Sequence, residues 1–159
     1  MTVTGRGVSI QERYYPDLPC FGCGPVNDKG LQLRSYPAGD YETSGIVVAR
    51  FMPWPEHNNG LGYLNGGVIS TVLDCHTAAA VTNEAFRRGW PPLAGAALPY
   101  VTAELAVRYR RPSPLDEPVE ARAWVTDADE KQMRAEAEIV WDGKVRAQGT
   151  AVWKRWRPR

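Results

Sequence analysis

A chain of 159 residues is long enough to bury a hydrophobic core, and it is most simply one domain spanning residues 1–159. Its hydrophobic content of 43% and charged content of 23% are ordinary for a globular protein, and a net charge of +1 gives no overall attraction to nucleic acid or membranes. No apolar run approaches the ~20 residues that span a bilayer, and the first residues lack a signal-peptide core. We therefore expect a cytoplasmic protein.

Residues 1–30 are expected to form an irregular or short helical lead-in, which contains the sequence Cys20-Phe-Gly-Cys23-Gly. A CxxC pair can supply half of a zinc site, but zinc needs four ligands and no second CxxC follows. The third cysteine, Cys75, makes the total odd and gives no disulfide framework. We expect a reduced turn packed into the fold and no bound metal, with zinc as the less favoured alternative.

Two β-strands are predicted in the first third of the chain, at Leu31–Tyr36 and Ser44–Met52. The turn-prone sequence Pro-Ala-Gly-Asp separates them. The prolines and glycines of 53–64 exclude a helix there, so this segment is predicted to be a loop.

The segment Asn65–Arg88 is predicted to be the central helix. From Val68 to Val81 it is apolar or small on every side, with Asp74 as its one charged residue, and a helix that is apolar all round is buried. Asn65 is a good N-cap, because its side-chain oxygen can accept from a free amide of the first turn. Gly66 and Gly67 leave first-turn N–H groups approachable, in a field that favours negative charge.

Four further strands are predicted after residue 99, because apolar and polar residues alternate there. In the first of them, one face is predicted to carry Val101, Ala103, Leu105, Val107 and Tyr109. An Asp-Gly hairpin signal separates the last two strands. One antiparallel sheet curled around a buried helix is an α+β architecture, and packing favours a dimer because one helix cannot cover six strands. The four strands are Tyr100–Arg111, Val119–Thr126, Met133–Trp141 and Lys144–Trp153.

Two stretches resemble hotdog-fold acyl-CoA thioesterases of the PaaI-like type. The first is His57-Asn-Asn-Gly-Leu-Gly-Tyr-Leu-Asn65-Gly66-Gly67, followed seven residues later by Asp74. The second is Thr102-Ala-Glu-Leu-Ala-Val-Arg-Tyr-Arg-Arg-Pro112. The resemblance implies a hotdog fold, in which a curled antiparallel sheet wraps around one long central helix. It also implies an acyl-CoA substrate and a homodimer or dimer of dimers with sites at the subunit interface; no cofactor, nucleic acid or membrane partner is expected.

By the same resemblance, Gly66 would hold the thioester oxygen with Gly67 in support, and Asp74 would act as general base or nucleophile. Asn65 replaces the histidine usual in this family; it keeps the cap but cannot carry a proton. Gly66 and Asp74 are eight residues apart, which is about 12 Å along a helix. One thioester carbon cannot lie near both, so we expect each site to take the two residues from different subunits.

Further candidate residues have both a substrate-binding and a structural interpretation. Thr77 is one turn beyond Asp74 and either orients the carboxylate or bonds back to its own helix. His57 and Asn59 either line the acyl pocket or are plain loop residues. His76 is about 200° round the helix from Asp74, which favours a buried core histidine.

A basic stretch offers candidate ligands for the phosphates of coenzyme A, at Arg108, Arg110 and Arg111, although such stretches are more often solvated surface. Two rival functions remain: a hotdog hydratase, which is disfavoured because Asp74–Val81 lacks a D-x4-H spacing, and a non-catalytic hotdog module that binds acyl-CoA or another small apolar ligand.

Overall fold

The computed structural model describes residues 7–40 and 43–159; residues 1–6 of the predicted lead-in lie outside the described residues. A single 3₁₀ turn, Pro55–His57, precedes the long helix. None of the described helices is long and apolar enough to cross a membrane. The helices are α1 (Ile10–Tyr14) and α2 (Gly66–Arg87), and the strands are β1 (Ser35–Pro37), β2 (Ile46–Phe51), β3 (Tyr100–Tyr109), β4 (Val119–Ala128), β5 (Gln132–Trp141) and β6 (Lys144–Arg155).

The six strands form one sheet in the order β1-β2-β4-β5-β6-β3, and every neighbouring pair is antiparallel. The predicted α+β architecture of a sheet around one central helix is therefore confirmed. The sheet ends in a short edge strand on one side and in the ten-residue strand β3 on the other. The inner face of the sheet packs on α2 through small side chains, which let the sheet approach the helix closely: Ala121, Ala123, Ala135, Ala137, Ala147 and Ala151 are each at most 1% exposed.

The first strand is shorter than predicted. Most of Leu31–Tyr36 is irregular, because Gln32 has a positive φ of 56° that interrupts an extended chain. The backbone there bonds instead to the CxxC turn: Leu31 N–H donates to Phe21 O at 2.8 Å and Leu33 N–H to Gly22 O at 3.0 Å. This segment therefore anchors the lead-in to the body of the fold.

Strand β3 departs from the predicted alternation at its first residues. Its pairing with β6 shifts register between Thr102 and Glu104, which is the signature of a β-bulge. Val101, predicted to share a face with Leu105, is 42% exposed, while the Thr102 side chain reaches α2. The bulge thus places a hydroxyl, and not a valine, against the helix.

A chain of buried hydrogen bonds joins α1, β1, α2 and β2. Gln11 Nε2 donates to Ser35 Oγ at 3.1 Å, and Ser35 Oγ lies 2.9 Å from His76 Nδ1. The other ring nitrogen of His76 donates to Val47 O at 3.0 Å, and all three side chains are fully buried. Burial lowers the pKa of His76 to about 4, so the ring is neutral and acts as the buried core histidine that the sequence favoured.

Candidate active site

The first turn of α2 is capped as predicted. Asn65 Oδ1 accepts from Gly67 N–H at 2.7 Å and from Val68 N–H at 3.3 Å. The Asn65 N–H donates to His57 O at 2.8 Å, which fixes the entry of the chain into the helix. Because the Gly67 N–H donates to the cap, Gly66 offers the more accessible amide, and a supporting role for Gly67 at an oxyanion stays a prediction.

The Gly66 N–H is the first-turn donor that the Asn65 side chain does not cap. Within 7–40 and 43–159 it has no hydrogen-bond acceptor. On the opposite side of this residue, Tyr109 Oη donates to Gly66 O at 2.8 Å and also contacts Ser70 Oγ at 2.9 Å. A Cβ added to Gly66 would lie 3.3 Å from the Tyr109 ring, so this position suits glycine. The arrangement leaves one amide free in the positive field of a helix start.

A cavity of about 590 Å³, here called the glycine cavity, opens beside this amide. Its wall combines the helix start, the end of β3 and the preceding loop. Asn59 is one of its residues, although its side chain is also used locally: Asn59 Oδ1 accepts from Leu61 N–H at 2.8 Å and Tyr63 N–H at 3.2 Å. The lining residues are Asn59, Leu61, Tyr63, Leu64, Gly66, Gly67, Ile69, Tyr109, Arg110, Arg111, Pro112 and Ser113.

His57 lines neither this cavity nor the one around Asp74. Its ring is 7% exposed and stacks on Trp54 and Phe51, with centroids 4.6 Å and 5.9 Å apart. His57 Nδ1 accepts from Trp54 N–H at 3.0 Å, and burial lowers the pKa of the imidazole. The structure therefore supports the loop interpretation of His57.

Asp74 lies in the middle of α2 and is partly buried. Thr102 Oγ1 donates to its Oδ1 at 2.8 Å, so the edge strand sets the orientation of the carboxylate. Burial raises the pKa of Asp74, and the bond from Thr102 opposes that shift without cancelling it. The result is a carboxylate more basic than an exposed aspartate.

Thr77, predicted as a possible partner of that carboxylate, is fully buried and bonds elsewhere. Its hydroxyl donates to Asp74 O, the backbone carbonyl, at 2.9 Å and accepts from Trp153 Nε1 at 3.1 Å. Its position matches the core alternative, and the orienting role belongs to Thr102.

The carboxylate faces a second cavity of about 350 Å³, here called the aspartate cavity. It shares no lining residue with the glycine cavity. Within one chain, the free amide of Gly66 and the carboxylate of Asp74 therefore serve separate spaces. The lining residues are Tyr15, Leu18, Pro19, Cys20, Cys23, Asp74, Cys75, Ala78, Leu98, Tyr100, Val101, Thr102 and Trp153.

The three predicted arginines are all exposed, and they are divided between two neighbouring cavities. Arg110 and Arg111 line the glycine cavity, although Arg110 Nε donates at 2.8 Å to Gln148 Oε1, a residue of the neighbouring outer groove. Arg108 faces a groove on the sheet surface directed away from α2, which Arg110 also borders. Two of the three therefore lie beside the Gly66 amide.

The structure also brings together the three cysteines, which the sequence treated separately. The sulfurs of Cys20, Cys23 and Cys75 lie within 4.8 Å of one another on the wall of the aspartate cavity. All three are free thiols. Hydrogen bonds from Cys23 and then Cys75 lower the pKa of Cys20, the most exposed of the three. No spacing rule could reveal this cluster, because Cys75 is more than fifty residues from the CxxC pair.

The sequence pattern of the thioesterase superfamily matches residues 61–147, more than half of the chain, and this stretch includes Gly66, Asp74 and Thr102. The chain belongs to the thioesterase superfamily. A search of curated proteins found none that matches this sequence.

Solved structures share the fold of this thioesterase-superfamily chain. Zebra fish Thioesterase Superfamily Member 2 is 20% identical, with a TM-score of 0.69 over 94% of this chain and 100% of its own. A phenylacetic acid degradation-related protein from Ralstonia eutropha JMP134 is 22% identical, with a TM-score of 0.68 over 92% and 98%. The E. coli PaaI protein from the phenylacetic acid degradation operon is 20% identical, with a TM-score of 0.59 over 71% and 74%. The predicted PaaI-like hotdog fold is confirmed.

The capping role of Asn65 predicts different stabilities for two substitutions. Asn65→Ala removes the acceptor of two first-turn amides and should lower the free energy of unfolding by about 1 kcal/mol. Asn65→Asp keeps an acceptor oxygen and should stay close to wild type. Urea denaturation of the three proteins measures both changes. An equal loss in the two variants would show that the amide nitrogen of Asn65, and not its oxygen, holds the helix start.

Proposed function

We propose that this thioesterase-superfamily protein hydrolyses acyl-CoA thioesters at sites shared by two subunits. Each site takes the Gly66 amide from one chain and the Asp74 carboxylate from the other. The observation that carries the proposal is the separation of these groups: they line different cavities of one chain, about 12 Å apart along the helix.

A symmetric dimer through β3 brings the two groups together. This strand is a long sheet edge whose second side pairs with no other strand among the described residues, and such edges favour pairing with another strand. Near its beginning Thr102 bonds to Asp74, and at its end Tyr109 bonds to Gly66. In a two-fold antiparallel pair, the beginning of one strand lies beside the end of the other. The Asp74 end of one chain then meets the Gly66 end of its partner, twice in each dimer.

In such a site the thioester carbonyl oxygen accepts a hydrogen bond from the Gly66 N–H. This bond strengthens as negative charge develops on the oxygen, because the donor is fixed in the positive field of a helix start. The residue before it, Asn65, carries no titratable proton, so its part is to hold the helix start in place.

Asp74 acts in one of two ways: it removes a proton from a water that attacks the carbonyl carbon, or its own oxygen attacks that carbon. The direct attack expels the coenzyme A thiolate and forms an acyl anhydride, which water then hydrolyses to the free acid and the Asp74 carboxylate. Burial raises the pKa of Asp74 and so makes the carboxylate a stronger base. In the water route, the tetrahedral intermediate collapses with departure of the coenzyme A thiolate, which takes the proton held by Asp74. Thr102 keeps the carboxylate aimed throughout.

Arg110 and Arg111 are the groups of the glycine cavity suited to the phosphates of coenzyme A. Asn59 lies on the same wall, where it would contact the acyl group or the pantetheine arm of the substrate. Arg108 faces away and would contact only a part of the ligand that reaches the outer sheet surface.

Substitution of Asp74 tests the assignment directly. Asp74→Asn should leave the fold intact and lower turnover of acyl-CoA by at least ~10², because the amide cannot act as base or nucleophile. The assay is release of free coenzyme A thiol across a panel of acyl-CoA substrates.

Glu84→Gln is the matched control, because it neutralises another carboxylate of the same helix that pairs with Arg87 and Arg88 away from both cavities. It should keep wild-type turnover. If the wild-type protein binds the panel without releasing thiol, the non-catalytic binding module is the correct alternative. If Asp74→Asn retains near-wild-type hydrolysis, Asp74 has no chemical role.

Subunit mixing tests the shared site. Gly66→Pro deletes the amide donor and is compatible with the first position of a helix. In a mixed dimer of Gly66→Pro and Asp74→Asn chains, one site carries both lesions and the other carries neither. Mixing at equal ratio makes half of the dimers mixed, so about a quarter of wild-type activity should return if the sites are independent.

The control for that experiment is Gly66→Ala, whose Cβ meets the same Tyr109 ring 3.3 Å away but whose N–H is intact. It should keep more activity than Gly66→Pro. Verified mixed dimers that remain as inactive as both folded parents would show that one chain supplies a complete site by itself.

A further inference from the structure

The cysteine cluster of Cys20, Cys23 and Cys75 has the dimensions of a metal site. Cys20 Sγ and Cys75 Sγ are 3.7 Å apart, and all three sulfurs lie within 4.8 Å of one another. A tetrahedral zinc with Zn–S bonds of about 2.3 Å separates its sulfur ligands by about 3.8 Å. A disulfide would instead require about 2.05 Å. The observed spacing fits three thiolates around one ion.

The CxxC turn is already shaped to present its sulfurs. The Gly24 N–H donates to Cys20 O at 2.9 Å, which closes the turn that carries the two cysteines. A Cβ at Gly22 would come within 2.3 Å of Cys75 Sγ, so the absence of a side chain lets the turn lie directly on α2. Cys23 and Cys75 are 3% and 4% exposed, which keeps competing water away from two of the three ligands.

A second, independent observation is an unsatisfied phenol beside the cluster. Tyr15 is 4% exposed, and its hydroxyl has no hydrogen-bond partner among the residues that the structure describes. It lines the aspartate cavity together with the three cysteines. Buried hydroxyls without a partner are rare, so this one points to a missing water or ligand.

We propose that Cys20, Cys23 and Cys75 bind one zinc ion per chain. Three thiolates select soft or borderline ions, and zinc accepts them in a tetrahedral site. The fourth position faces the aspartate cavity, where a water can bind the ion and accept from Tyr15. Asp74 lines the same cavity, but its carboxylate accepts from Thr102 and does not belong to the cluster of three sulfurs. We therefore do not count it as a zinc ligand.

The local sequence around the CxxC pair favours a metal-free turn, whereas the folded chain brings a third sulfur to it. The CxxC pair alone supplies only two of the four ligands that zinc needs, and no second CxxC follows it. The fold supplies the third sulfur from the centre of α2. The ion would fasten the lead-in to the helix beside Asp74, and its presence does not depend on the proposed hydrolysis.

Metal content tests the proposal without reference to activity. The full chain, purified in reducing buffer without chelator, should contain one zinc per chain by elemental mass spectrometry. Cys20→Ser, Cys23→Ser and Cys75→Ser should each lower bound zinc at least ten-fold. Asp74→Asn is the matched control from the same cavity wall and should keep its zinc.

Cobalt binding by the wild-type protein tests the metal site without any serine variant, and so it still applies if such a variant fails to fold. Reduced wild-type protein stripped of metal should bind one Co²⁺ and show the intense visible bands of a tetrahedral thiolate site. Failure of that protein to hold zinc or cobalt would overturn the proposal. A metal-free Cys20–Cys23 or Cys20–Cys75 disulfide in the purified protein would overturn it too, in favour of a redox pair.

Discussion

The hydrogen bond from Thr102 to Asp74 joins the middle of the central helix to the free edge of the sheet. A partly buried carboxylate is costly unless it is bonded, and within the described chain this hydroxyl is its one side-chain donor. The bond requires the bulge in β3, because regular alternation would place Val101 or Ala103 against the helix instead. A local irregularity of the edge strand therefore fixes where the carboxylate points, while burial is what raises its pKa.

The same helix carries both halves of the proposed chemistry but keeps them apart. Its start presents the Gly66 amide to one cavity, and its centre presents Asp74 to another. Strand β3 touches both places, through Tyr109 at one end and Thr102 at the other. Antiparallel pairing of two such strands would convert two half-sites in each chain into two complete sites in a dimer. In this account the dimer is part of the catalytic machinery as well as a way to cover the sheet.

Local patterns in the sequence predicted the parts of this structure that local physics controls. The cap at Asn65, the buried helix and the period-two strands follow from capping, hydrophobicity and alternation within short windows. Thr102, although it lies in the family-like stretch, could not be paired with Asp74, because that contact depends on a bulge. The contact of the CxxC turn with Cys75 of α2 likewise arises from long-range packing. The positive φ of Gln32, which interrupts the beginning of the predicted first strand, could not be predicted, because glycine is the residue that usually marks such a conformation.

A crystal structure with an acyl-CoA ketone analogue, in which methylene replaces the thioester sulfur, tests the central claim most directly. We expect the carbonyl oxygen of the analogue to lie about 3 Å from the Gly66 N of one subunit. The Asp74 carboxylate of the other subunit should approach the same carbonyl carbon to about 3.5 Å, or reach it through one water. A carbonyl held between Gly66 and Asp74 of a single chain, or bound away from both, would contradict the account.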